Sequence, residues 1–201
     1  MSKKNVSEKE EFEISLIDVS GHGGQNSSLW SGIVKCVKKA VEEDEGFFIL
    51  CKDDHTFTAH YKREKFIKNL IQAYAQYADM LVGGVGRSGI CIPITSNRYW
   101  IDQFLNASYI VVYKQLYPKI LSYKFNKGED PDRVLSKLSI NKIVTYPFIS
   151  KRHNFGANME NKHVAINQRI FEMEKAKFEA YDAMYNRFHM GIHFESRKQW
   201  K

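Results

Sequence analysis

Phe47-Phe48-Ile49-Leu50-Cys51-Lys52-Asp53-Asp54-His55 is the stretch whose reading decides the fold. Five apolar residues run directly into a lysine, two adjacent carboxylates and a histidine. The apolar run has the length and composition of a buried strand. An open α/β sheet carries its ligand chemistry at the carboxyl ends of its strands. The stretch therefore predicts a buried strand that delivers Asp53 and Asp54 to such an edge. Carboxylate oxygens beside an imidazole suit a hard or borderline divalent cation, Mn²⁺ or Mg²⁺, bound together with phosphates.

On the amino-terminal side, Ser27 or Ser28 is a good helix N-cap, and Leu29, Ile33, Val34, Val37 and Val41 then share one face up to a stop at Gly46. A helix joined tightly to a strand is a unit of an α/β sheet. Before it, Phe12 to Val19 partly alternates and predicts a short strand. The glycine-rich loop Ser20 to Ser28 lacks the P-loop lysine and the GxGxxG spacing, so it reads as a connection.

On the carboxyl side a helix is predicted from Lys62 to Tyr77, with Phe66, Ile67, Leu70, Ile71, Tyr74 and Tyr77 as its core-facing stripe. A strand from Asp79 to Val82 breaks into Gly83-Gly84-Val85-Gly86-Arg87-Ser88-Gly89. Four glycines in seven positions leave an open backbone. Two readings stand: close approach to a sugar or pyrophosphate with Arg87 neutralising charge, or a plain connection to Ile90 to Ile94. Tyr109 to Tyr113 is a further strand, and Gln115 to Leu121 a helix that tolerates Pro118. Asp130 caps a helix with Pro131 at its first position and Asp132 near its positive end. Lys142 to Tyr146 is a last short strand. Lys151, Arg152 and His153 read as part of a polar surface segment or mobile lid, with gripping phosphates as the other reading, and a long helix follows from about Val164 to Phe188.

The 201 residues, 43% hydrophobic and 26% charged, have ordinary globular composition. No stretch approaches the roughly 18 apolar residues of a membrane span, and residues 1–11 have no signal-peptide core. Cys36, Cys51 and Cys91 lack metal-type spacing and read as reduced, small core residues of a cytosolic protein. The net charge of +7 admits nucleic acid, an anionic substrate or an anionic membrane surface. The aromatics lie mostly at core spacing and no nucleic-acid motif appears, which disfavours the first.

Adjacent residues diverge in a strand, so Asp53 and Asp54 cannot flank one glycosidic bond as a retaining glycosidase requires. A two-metal phosphatase or nuclease wants further acids, for which Asp102 and Asp132 are the evident candidates. A nucleotide-sugar transferase needs a metal-bound carboxylate and, for inversion, a second acid as base; Asp53, Asp54 and Asp132 supply these.

From about Glu13 to Phe155 the chain resembles bacterial glycosyltransferases of the A-type fold, and is similar to glycosyltransferase family 25 and related Bacteroidetes glycosyltransferases. The resemblance rests on an ordered series: the helix Leu29 to Val41; Cys51-Lys52-Asp53-Asp54-His55-Thr56-Phe57-Thr58; Ala78-Asp79-Met80-Leu81-Val82-Gly83-Gly84; Asn97-Arg98-Tyr99-Trp100-Ile101-Asp102; Pro131-Asp132-Arg133-Val134-Leu135; and Val144-Thr145-Tyr146-Pro147-Phe148-Ile149-Ser150. It implies an α/β, Rossmann-like nucleotide-diphospho-sugar transferase domain with a mixed central sheet over residues 12–155. A tail at 1–11 and a C-terminal helical extension at 156–201 flank it. It implies that Asp54 binds a divalent metal holding the nucleotide diphosphate, that Asp53 contacts ribose or metal, and that Asp132 is the base near the acceptor. Gly83, Gly84 and Arg87 are the further donor-binding candidates, and His55 is a turn residue.

Such enzymes carry Glu-Asp-Asp where this chain has Lys52-Asp53-Asp54, and open with a strand and an Arg-containing loop that residues 1–11 do not resemble. The expectation is therefore a domain lacking its first strand. The implied partners are a nucleotide-sugar donor, a lipopolysaccharide or capsule acceptor and peripheral contact with the inner membrane from the cytoplasm. A catalytically impaired partner protein of the same fold is the alternative.

Overall fold

The computed structural model describes residues 12–17, 24–152 and 162–198. Helix α1 (Gln25–Glu42) buries Trp30, Ile33, Val37 and Ala40. It starts ahead of Ser27 and Ser28, behind Gly24, whose φ of 90° suits glycine. It ends before Gly46, where Asp44 turns the chain with φ 53°. Then come β1 (Phe47–Cys51), β2 (His55–Phe57), α2 (Arg63–Ala75), β3 (Met80–Val82), β4 (Arg87–Ser88), β5 (Cys91–Thr95), β6 (Arg98–Ile101), β7 (Phe104–Leu105) and β8 (Tyr109–Tyr113). A 3₁₀ turn (Lys114–Leu116) leads into α3 (Tyr117–Ser122), α4 (Pro131–Leu138), β9 (Lys142–Thr145), β10 (Ser150–Arg152) and the long α5 (Lys162–Lys198).

Six strands form one mixed sheet in the order β1-β8-β3-β9-β6-β5. Only β3 and β9 pair in parallel; the other four pairs are antiparallel. Because β1 and β3 both oppose β8, and β9 follows β3, the strands β1, β3 and β9 run in one direction. Their carboxyl ends meet at one sheet edge, the arrangement anticipated for Asp53 and Asp54.

The predicted burial of β1 is corrected. It is an edge strand, with Phe47 and Cys51 exposed and its middle three residues half-buried. A strand with a neighbour on one side only cannot be covered like a central one. The fully buried strands are β3, β8 and β9, and β8, the longest of them, alternates between the faces. Ile110 and Val112 join Met80, Val82 and Val144 against Val37, Ile120, Leu135 and Phe178. Tyr109, Val111 and Tyr113 join Leu81 and Ile143 against Phe66 and Ala73 of α2. Each such side chain contributes about 1.5–3 kcal/mol by leaving water, so the two faces supply the driving force for a sheet covered by helices on both sides.

Helix α2 keeps Phe66 and the half-buried Leu70 of its predicted stripe against the core but departs from it elsewhere. It turns Phe66, Asn69 and Ala73 inward, a row roughly 100° around the helix from Ile67, Ile71 and Tyr74. Those three are 40%, 59% and 58% exposed, and Tyr77 is 83% exposed. Of the strand predicted from Phe12 to Val19, the described residues 12–17 have no strand pairing. Phe12 instead anchors its segment by stacking on Phe57 and meeting Phe66 edge-on, at centroid distances of 6.1 and 6.0 Å.

Helix α5 docks through Phe178, which is fully buried against Tyr99, Tyr146 and Phe148. Beside it, Lys177 Nζ donates to Ser88 Oγ at 2.8 Å and pairs with the buried Glu174 at 2.6 Å. The three cysteines are free thiols; Cys91 is buried as predicted, but Cys51 is exposed on the edge strand. The end of the predicted strand at Val19 and the expectation for His153 lie outside the described residues.

Candidate functional site

The carboxyl end of β1 closes into a tight turn, in which the amide of His55 donates to Lys52 O at 3.0 Å. Lys52 itself stays attached to the sheet, its amide donating to Ser108 O at 2.9 Å. Asp53 and Asp54 are thereby the two corner residues. Asp53 is exposed and Asp54 half-buried.

Each remaining acid at this edge has a cation. The Nε of Arg152 donates to Asp54 Oδ2 in a short ion pair. Strand β10 brings Arg152 there by pairing with β2, in a register that sets Arg152 opposite His55. Asp54 Oδ1 is buried and has no hydrogen-bond partner among the described residues. Lys52 Nζ donates to Asp132 Oδ1 and Oδ2 at 2.9 and 3.1 Å. The amide of Ala107 donates to Asp132 Oδ2 at 3.2 Å. Asp132 is buried in the first turn of α4, where Asp130 Oδ1 accepts from the Arg133 amide at 3.0 Å. The ammonium and the amide thus hold both carboxylate oxygens in place. While Lys52 is paired with it, both carboxylate oxygens of Asp132 are engaged.

His55 is no part of the polar rim. It is 2% exposed, with its ring at 4.4 Å from Phe57 and 5.0 Å from Tyr109, both edge-on. Burial pushes its imidazole down to about 4, against a smaller upward pull from Asp54. It is therefore neutral at ordinary pH, a packed turn residue as expected.

The glycine stretch resolves toward packing. The amides of Ile149 and Ser150 both donate to Gly83 O, at 2.8 and 3.1 Å, and the Gly83 amide donates to Tyr109 O at 3.0 Å. A Cβ on Gly84 would lie 2.3 Å from Ser150 O. These glycines let residues 148–150 cross closely over the end of β3, which sets the start of β10 and hence Arg152. Gly83 and Gly84 thus border the site through backbone, while Arg87 is exposed on a separate ribbon of β4 with β7.

One further acid and one aromatic of the quoted motifs serve structure. Asp102 Oδ1 accepts from the Ile90 amide at 2.8 Å. Trp100 Nε1 donates to Ile140 O at 3.1 Å, at the end of the sheet where β9 begins and away from Asp54. The residue that sequence reasoning undervalued is Arg152, read as part of a solvated segment. Its signal was the three-residue strand that follows Ile149, too short to stand out. The Ala107 amide and the Ser108–Ser150 hydroxyl contact of 3.1 Å carry no sequence signal at all.

The donor set fits a cation that arrives with phosphates. Among the described residues no group of three or more His, Cys, Asp or Glu converges. Magnesium-type ions nevertheless take only one or two carboxylates from the protein when substrate oxygens complete the shell. The orphaned Asp54 Oδ1 and the neighbouring Asp53 are the two carboxylates that this turn offers. No protein-family model matches the chain, and no curated protein matches it.

Proposed function

We propose that the protein is a glycosyltransferase of the A-type fold, moving a sugar from a nucleotide-sugar donor, a UDP-sugar, to a hydroxyl of a bacterial surface glycan of the lipopolysaccharide or capsule kind. The observation that carries this reading is the meeting of three co-directional strand ends, where Lys52, Asp53, Asp54, Arg152 and Asp132 share one sheet edge. Asp54 and Asp53 would hold Mn²⁺ or Mg²⁺, which when bound neutralises charge on the leaving diphosphate. Lys52 and Arg152 flank the same corner and add positive charge for phosphate oxygens. Once Lys52 swings toward phosphate, Asp132 is released to accept the proton of the attacking hydroxyl. The Ala107 amide holds the carboxylate in place meanwhile.

A second reading is favoured by one observation, the closed Lys52–Asp132 and Arg152–Asp54 pairs. On that reading the fold is kept in a non-catalytic partner of a glycan-building assembly.

Calorimetric titration of the full chain with UDP-sugars and Mn²⁺ tests the first reading. Binding is expected, and Asp132→Asn is expected to retain it while losing turnover by about 10²-fold or more. A folded protein that binds no nucleotide sugar would sink the catalytic reading.

A further inference from the structure

Helix α2 carries an apolar face that the fold leaves uncovered. Among the described residues, Ile67, Ile71 and Tyr74 recur at helical spacing and are 40%, 59% and 58% exposed, and Tyr77, just past the end of the helix, is 83% exposed. The inward row of the same helix is occupied by Phe66, Asn69 and Ala73, so Ile67, Ile71 and Tyr74 are not core residues caught at a margin. Contiguous exposed apolar side chains rimmed by polar ones mark an interaction surface.

The rim identifies the occupant. Lys62, Arg63, Lys65 and Lys68 are all exposed on the cap and first half of the helix, with Glu64 the one acid among them. An amphipathic helix with bases on its polar flank and aliphatic and tyrosine side chains on the other lies in the plane of an anionic membrane surface. A second copy laid on the same stripe offers only Glu64 to meet four bases, which leaves the charge uncompensated.

The orientation is also fixed by the fold. The start of α2 is tied to the site edge, because the Thr58 amide donates to Ile149 O at 3.0 Å and Thr58 Oγ1 to Phe148 O at 2.6 Å. Its far end leads to β3 at the opposite edge, where the Asp79 amide donates to Asn141 O at 2.8 Å. We infer that α2 is a membrane-docking helix for an anionic bilayer, with its basic end and the Lys52–Asp54 corner on the same side of the molecule. The inference stands on α2 alone; where the transfer reading also holds, the acceptor is a saccharide carried on a lipid.

The test is co-sedimentation of the full chain with phosphatidylglycerol–phosphatidylcholine vesicles and with pure phosphatidylcholine vesicles. Binding to the anionic vesicles only is expected, falling as salt is raised. Ile71→Glu and the double variant Lys65→Glu/Lys68→Glu are each expected to weaken it at least about tenfold. Both alter exposed positions, and thermal melts report that the fold is kept. Binding that is unchanged by Ile71→Glu would overturn the inference. So would no vesicle binding together with a dimer in sedimentation velocity that Ile71→Glu dissolves, since a second copy then covers the stripe. Vesicle binding without any nucleotide-sugar turnover removes the transfer reading and leaves this one; turnover without vesicle binding does the reverse.

Discussion

Lys52 and Asp132 form a two-pronged ion pair across 80 residues of chain, the ammonium donating to both carboxylate oxygens at 2.9 and 3.1 Å. The pair ties the end of β1 to the first turn of α4. Its carboxylate side is 9% exposed and its ammonium side 32%, so it is partly desolvated. Breaking such a pair from one side leaves an uncompensated buried charge. Lys52→Met is expected to cost about 2–3 kcal/mol, and Lys52→Met/Asp132→Asn to recover most of it. Urea unfolding of both variants and of Asp132→Asn closes the cycle; additive losses would show that the contact is not coupled.

The glycines of the site edge differ in kind from those of the turns. Gly84→Ala puts a Cβ 2.3 Å from a backbone oxygen of Ser150, which cannot move without dislodging β10. A loss of about 3 kcal/mol or more, or failure to fold, is expected. Gly46→Ala meets nothing within 4 Å and is expected to leave stability within about 1 kcal/mol of the parent. Thermal melts of the two proteins side by side decide it.

His55 makes stability depend on acid. Its folded value is lowered to about 4 from 6.5 by burial. Between those values the unfolded chain carries a proton that the folded chain does not, so stability falls as pH drops from about 6.5 to about 4. Above that window its contribution is complete. His55→Phe removes the titrating group while keeping the aromatic packing against Phe57 and Tyr109. The variant is expected to show a shallower decline in melting temperature over that window; an unchanged slope would place the acid sensitivity elsewhere.

Phe178 is the anchor of α5, with no exposed surface and three aromatic neighbours at 5.1–5.2 and 5.5 Å among Phe148, Tyr99 and Tyr146. Phe178→Ala is expected to cost about 3–5 kcal/mol through lost burial and the cavity left behind. Hydrogen exchange will show faster exchange across α5 than across β8 if the helix is released first.

The parts of the fold that were legible in the sequence are those fixed by local chemistry. Tyr109 to Tyr113 reads as a strand because five β-branched or aromatic residues leave no alternative period. Asp130-Pro131 reads as a helix start because the cap and the missing amide belong there, and the Arg133 amide confirms the cap. The illegible parts depend on what lies alongside. Phe47 to Leu50 has the apolar content of a central strand, yet among the described residues only β8 pairs with it. Helix α2 has two apolar rows, and the sheet chose the one containing Asn69, whose carbonyl oxygen accepts from Asn97 Nδ2 at 3.1 Å. At the site, the adjacency of Asp53 and Asp54 was plain, whereas the cations opposite Asp54 and Asp132 arrive through β-ladder register and a long-range contact that no spacing announces.

The position of β1 has a bearing on how the chain behaves outside its folded state. Phe47–Cys51 is apolar, lacks proline and charge, and lies at the margin of the sheet with β8 on one side. Such a segment is a ready template for strand-to-strand growth between molecules once its cover loosens. Refolding yield should therefore fall with protein concentration, and a lysine at the exposed Phe47 position should act as a gatekeeper that restores it.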